Sequence, residues 1–149
     1  MRIRLLLAIG CVIFSAQTFA FTCYFTLAKD SCWTNYDVKV VVVDANTNKP
    51  VVTVEVPKGK SWARQKFTCE PAQRFFYQAT YQPVFWQSEV GKNYMSMRYW
   101  SLPATIGEGD TAWNIPVCFP ANFAAVPLPP DAQGNCQCDW SQIPAPPPQ

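Results

Sequence analysis

The sequence predicts an all-β fold: a small sandwich stapled by disulfides and followed by a proline-rich tail. Three observations carry this expectation. Several short runs alternate apolar and polar residues with a period of two, clusters of Asn, Pro and Gly separate them, and the cysteines are even in number once an export leader is set aside. No stretch shows the 3.6-residue period of an amphipathic helix, and no internal repeat is visible.

The chain opens with Arg2 and Arg4, then an apolar run over residues 5–14, then "SAQTFA". A positive start, a short apolar centre and small residues at the end are the marks of a secretory signal peptide. Cleavage is expected after Ala20, so residues 1–20 form the leader. The run is about half of what crosses a bilayer, which argues against a retained transmembrane segment. "AIGC" resembles the lipid-attachment box of bacterial lipoproteins, with Cys11 as the modified residue. Only six residues separate Arg4 from Cys11, however, and small residues recur at Ala16 and Ala20. A discarded Cys11 is therefore the preferred reading.

The expected sandwich covers residues 21–125. "FTCYFTL" (residues 21–27) reads as its first strand. "YDVKVVVVD" (residues 36–44) alternates, with Tyr36, Val38, Val40 and Val42 on one face. "VVTVEV" (residues 51–56) alternates again, with Val52, Val54 and Val56 inward and Thr53 and Glu55 outward. "ANTNKP" between them supplies turn chemistry, so the two runs predict a hairpin. "SWARQKFTC" follows "KGK" as the next strand. "QRFFYQATYQ" places Phe75, Tyr77, Ala79 and Tyr81 on one face, against Arg74, Gln78 and Thr80. "NYMSMRYWS" (residues 93–101) and "WNIPVCF" (residues 113–119) complete about seven strands, the number of an immunoglobulin-like sandwich.

"VVDANTNKPVVTVEV" resembles the first hairpin of transthyretin-like and carboxypeptidase-regulatory-like domains, in which Asp, Thr and Pro recur around the turn. Asn48 stands where those hairpins often carry glycine. The resemblance implies a sandwich and carries no function with it.

Residues 126–149 form the proline-rich tail, and "GNCQCDW" within it holds Cys136 and Cys138. Six cysteines follow the leader: Cys23, Cys32, Cys69, Cys118, Cys136 and Cys138. In an exported chain an even count reads as a disulfide framework. Cysteines one residue apart bond each other poorly, because so small a ring strains the disulfide. Each should therefore reach a different earlier cysteine and pin the tail to the sheet. Twelve pairings satisfy that condition. The last six residues, "PAPPPQ", are expected to add little to stability.

The chain contains no histidine. That removes Ser-His-Asp and Cys-His nucleophile systems and histidine-ligated metal centres. A single C-x-C lacks the paired knuckles of structural zinc, and it lacks the C-x-x-C at a helix start that activates a redox thiol. No metal and no cofactor are expected. Beyond residue 20 the ten basic and ten acidic residues cancel. Nucleic acid and anionic membranes, which call for a basic excess, are not expected partners.

Two acidic constellations merit weighing. Asp44, Asn46, Asn48 and Glu55 match positions 1, 3, 5 and 12 of a calcium loop, but Lys49 holds the position that needs glycine and the flanks read as strands. Glu108 and Asp110 in "GEGD" could serve acid–base chemistry, although paired acids in such loops are ordinarily solvated. The feature that a sandwich core does not absorb is aromatic density between Phe75 and Trp100. Phe76, Trp86, Tyr94 and Trp100 are the candidate exposed surface. These readings predict a non-catalytic exported binding or structural module, a periplasmic accessory subunit of a cell-envelope assembly that contacts protein. A carbohydrate-binding domain is the alternative, and a small carboxylate hydrolase comes third.

Overall fold

Val38, Val40 and Val42 are completely buried while Lys39 between them is exposed, and Val54 and Val56 repeat the pattern around Glu55. A period-two apolar face must lie on another layer. The computed structural model, which describes residues 20–149, supplies that layer. The expected leader over residues 1–20, except for Ala20 itself, and with it Cys11, lies outside the described residues.

Among the described residues eight strands form two packed sheets. They are β1 (Phe21–Lys29), β2 (Asp37–Asp44), β3 (Pro50–Val56), β4 (Trp62–Cys69), β5 (Arg74–Gln82), β6 (Tyr94–Met95), β7 (Trp100–Ser101) and β8 (Trp113–Phe119). One sheet runs β4-β1-β8, with β1 antiparallel to β4 and parallel to β8. The other runs β3-β2-β5-β6, and β7 pairs with β5 beyond β6. Phe25, Leu27, Ile115, Val117 and Phe119 face the valines across the interior. Trp33, in a 3-10 turn after β1, closes one end of the core. Its ring lies edge-on to Tyr81 at 4.7 Å and to Phe119 at 4.8 Å, and it is wholly buried. The all-β, sandwich-like architecture expected from the sequence is present.

The β2–β3 hairpin turns on Asp44. Its carboxylate accepts the backbone N–H groups of Asn46 (2.8 Å) and Thr47 (2.9 Å) and the side-chain amide of Gln73 (2.6 Å). Burial pushes this carboxyl up, yet the hydrogen bonds from Gln73, Thr47 and Asn46 together hold it below its ordinary value. Asn48 adopts φ 56°, a left-handed conformation that Asn tolerates better than most residues. Glu55, the twelfth position of the calcium-loop pattern, points outward from β3 opposite Lys39.

Three disulfides join Cys23 to Cys69, Cys32 to Cys136 and Cys118 to Cys138. The first links neighbouring strands of one sheet, unlike the bond between sheets in antibody domains. The other two tie the tail, through Cys136 and Cys138, to two different places in the sandwich.

One expectation needs correction: residues 93–101 do not form one strand. Gln78 pairs with Met95, so an unbroken register would set Phe75 opposite Arg98, yet Phe75 pairs with Trp100. Two residues are extruded between β6 and β7. The final six residues also have a place in the fold: the Arg64 guanidinium donates to the Pro144 carbonyl (2.8 Å), and the Gln149 amide donates to the Tyr24 hydroxyl (2.6 Å).

Candidate interaction surface

The extrusion between β6 and β7 builds the most distinctive surface of the molecule. At its start Ser96 completes the ladder to β5. Its N–H donates to the Tyr77 carbonyl (2.9 Å), and its hydroxyl accepts the Tyr77 N–H (3.0 Å). The loop after β8 then crosses to this edge, where Met97 N–H donates to the Asn122 carbonyl and Ala124 N–H to that of Met95. Held from both sides, Met97, Arg98 and Tyr99 are pushed outward. Met97 and Tyr99 are each 59% exposed and Met95 is 42% exposed, which for such large apolar side chains marks a surface rather than a frayed core.

A cleft of about 490 Å³ opens here between the two sheets, walled by Tyr77, Met97, Tyr99 and Trp100 on one side and by Pro116, Val117 and Asn122 on the other. A shallower hollow of about 150 Å³ continues it past Phe76 and Met95. The Arg74 guanidinium lies 4.7 Å from the centre of the Tyr99 ring, and the Phe76 ring meets the same ring at 6.1 Å. These contacts fix Tyr99 as a rigid ridge beside the cleft.

The free edge of β8 borders the cleft but is poorly suited to adding a strand. Cys118 has both backbone groups engaged by Asn122, whose side-chain oxygen accepts its N–H (2.7 Å) and whose own N–H donates to its carbonyl. Backbone direction alternates along a strand, so Pro116 faces the same edge, where it has no N–H to offer. Side chains rather than backbone therefore dominate what this surface can do.

Of the four candidate aromatic residues, Phe76 and Trp100 come together here. Trp86 is half-exposed but follows the opposite end of β5, about 20 Å away at the usual rise per residue. Tyr94 faces inward. Its ring stacks on Tyr81 at 5.6 Å and its hydroxyl donates to Glu89 (2.5 Å), so burial, and next the Glu89 carboxylate, raise its pKa far above the ordinary phenol. Met95, Met97, Arg98 and Tyr99 were not singled out by aromatic counting, although "MSMRYW" puts five bulky side chains into six positions and no sheet face can bury them all.

Comparison with protein-family models, with curated proteins and with solved structures finds no match.

The acidic candidates lie elsewhere. Asp110 accepts the Gly107 N–H (2.8 Å) and the Trp113 indole N–H (3.3 Å), which makes it a turn cap, while Glu108 projects from the same exposed loop. Among the described residues, one grouping has metal-ligating side chains close together: Asp30, Cys32 and Cys136. Its two sulfurs are bonded to each other, and the carboxylate accepts the Cys32 N–H (2.9 Å). Its donors are already committed.

Proposed function

We propose that this chain is a non-catalytic exported binding module, a periplasmic accessory subunit of a cell-envelope assembly that contacts protein through the surface around Met97, Tyr99 and Trp100. The observation that carries this reading is the contiguous set of exposed Met, Tyr and Arg side chains, with the half-buried Trp100 beneath them, beside a cleft of about 490 Å³. Those residue types are the ones enriched at the centres of protein interfaces.

Charge supports a protein partner of a particular kind. The ion pair found among the described residues joins Lys92 to Glu89, while Arg74 and Arg98 flank the cleft with no carboxylate partner there. A partner bringing Asp or Glu to this rim gains charge-assisted hydrogen bonds over an apolar floor. Three disulfides suit an oxidising compartment, and among the described residues no helix is long and apolar enough to cross a membrane.

The test is cross-linked purification of the tagged chain from its native envelope, alongside a Met97→Asp, Tyr99→Ala variant. The expected result is a stoichiometric protein partner that the variant loses while keeping the wild-type melting temperature. Equal recovery by both chains overturns the surface assignment. Binding on a glycan array that is lost in Trp100→Ala transfers the site to carbohydrate.

A further inference from the structure

The second unusual surface is the outer face of the three-stranded sheet. On β1 Tyr24, Thr26 and Ala28 point away from the core, yet they are only 5%, 1% and 1% exposed. Among the described residues no further strand covers them. Part of the cover is the proline-rich tail, which is fixed by the Cys118–Cys138 bond on the outward side of β8. Residues 139–149 beyond that bond are held by non-covalent contacts alone.

Those contacts follow a pattern. Arg64 donates through Nε to Thr26 Oγ1 (2.7 Å) and through Nη2 to the Pro144 carbonyl (2.8 Å). At the other end the Gln149 side chain donates to the Tyr24 hydroxyl, and its carbonyl accepts from Lys66. Between these anchors Pro146, Pro147 and Pro148 border a hollow walled by Tyr24, Thr111, Ala112, Trp113 and Asn114. Trp113 only borders this hollow: it is in register with the core residue Cys23, and its ring turns to the inner side of the sheet against Phe21, with ring centres 4.5 Å apart. A run of prolines offers carbonyls and apolar rings but no N–H, and its fixed φ makes it extended before it binds. The sheet face presents the complement: the Tyr24 ring beside the prolines and the Arg64 guanidinium for a backbone carbonyl. That is the chemistry by which proline-rich peptides are recognised.

The tail does not fill its seat. About 250 Å³ remains open between the three prolines and the sheet. A segment of the same chemistry with bulkier side chains beside its prolines would bury surface that residues 146–148 leave exposed. We propose that this groove is a recognition site for a proline-rich segment of a partner protein, occupied in cis by residues 144–149.

The test uses the full-length chain carrying Pro146→Ser, Pro147→Ser and Pro148→Ser, which keeps the disulfides, Pro144 and Gln149. The synthetic peptide PAPPPQ is titrated into the variant and into the unaltered chain while the Asn114 side-chain amide resonances, which lie on the outward face beside the hollow, are followed by NMR. The expected result is a saturable shift in the variant. In the unaltered chain binding should be about tenfold or more weaker, because the tethered tail competes at millimolar effective concentration. The control peptide PASSSQ should leave both spectra unchanged.

A folded variant with no saturable shift, or one that binds both peptides alike, overturns the proposal. If the variant does not fold, the unaltered chain is titrated to millimolar PAPPPQ, and absence of an Asn114 shift there overturns it equally. A concentration-dependent dimer of the unaltered chain that the variant does not form would assign the groove to a second copy instead.

Discussion

Replacing Cys32 and Cys136 together by serine removes one covalent tie and leaves no lone thiol. The two residues are 104 apart in sequence, and on chain entropy alone closing so long a loop is worth nearly 5 kcal/mol. The other bonds shorten the path. From Cys32 the chain can be followed back to Cys23, across to Cys69, on to Cys118, across to Cys138 and so to Cys136, roughly 60 residues in all. On that shorter loop the tie is worth about 4 kcal/mol. At about 4 °C per kcal/mol for a domain of this size, the melting temperature should fall by about 15 °C in calorimetry, and the urea midpoint should move with it. A fall of less than about 4 °C, with the other two bonds intact, would refute the reasoning. It would mean that residues 126–135 hold the tail in place even in the denatured ensemble, or that the bond strains the native state.

Trp33→Ala should cost about 3–5 kcal/mol, since it empties the aromatic end of the core; a loss under 2 kcal/mol by urea titration would show that Tyr36, Tyr81 and Phe85 can close over the gap. Asp44→Ala removes the acceptor of three hydrogen bonds and should cost about 2 kcal/mol at neutral pH. Because the folded Asp44 carboxyl titrates below its ordinary 3.8, the wild-type advantage over that variant should be complete above pH 4 and shrink as pH falls further. At alkaline pH the Lys29 amine is opposed by four tyrosines, Tyr36, Tyr77, Tyr81 and Tyr94, all raised by burial first. Burial holds the Lys29 amine down at about 8 from 10.5, although the Asp37 carboxylate raises it, so stability should increase from pH 8 to 10.5. Burial, and next the Asp131 carboxylate, push Tyr36 up from 10.0 to about 12, so stability should fall as pH rises from 10 through 12. Urea titrations should therefore peak between about pH 9 and 10, and Lys29→Met should flatten the rising limb.

The strands that bury one face were readable from sequence, because period two is imposed by geometry and Val38, Val40, Val54 and Tyr77 obey it. β1 was readable only as a strand. "FTCYFTLAK" shows no alternation since both of its faces are covered, and sequence names no cover in advance. The break between β6 and β7 was hidden for a different reason. Residues 93–101 have strand composition throughout, and the extrusion depends on Asn122 and Phe123 arriving from beyond β8 to pair with Met97 and Ser96. Such a contact leaves no trace in the local pattern. The exposed ridge was half visible: Trp100 and Phe76 were in view as aromatic residues, while Met97 and Arg98 became part of the surface only once the loop was placed.

The two cysteines of "NCQCDW" become intelligible when their partners are placed. Cys32 lies in the turn beyond the end of β1, and Cys118 lies on the outward side of β8, beside Ala28. One bond holds the tail at the end of the sandwich, and the next holds it on the sheet face. A proline-rich segment cannot secure that course by strand pairing, because it lacks the N–H groups for a ladder. Asp131 supplies a polar hold earlier in the tail, where it accepts from the Tyr36 hydroxyl (2.8 Å) and the Asn35 amide (3.0 Å). Residues further on can then lie over Tyr24 and beside the Arg64–Thr26 pair without bearing the entropic cost of finding them from an untethered segment. The spacing of the cysteines thus answers to the place where the tail turns from the end of the sandwich onto its face. That arrangement accounts for a three-stranded sheet whose central strand is buried on both sides.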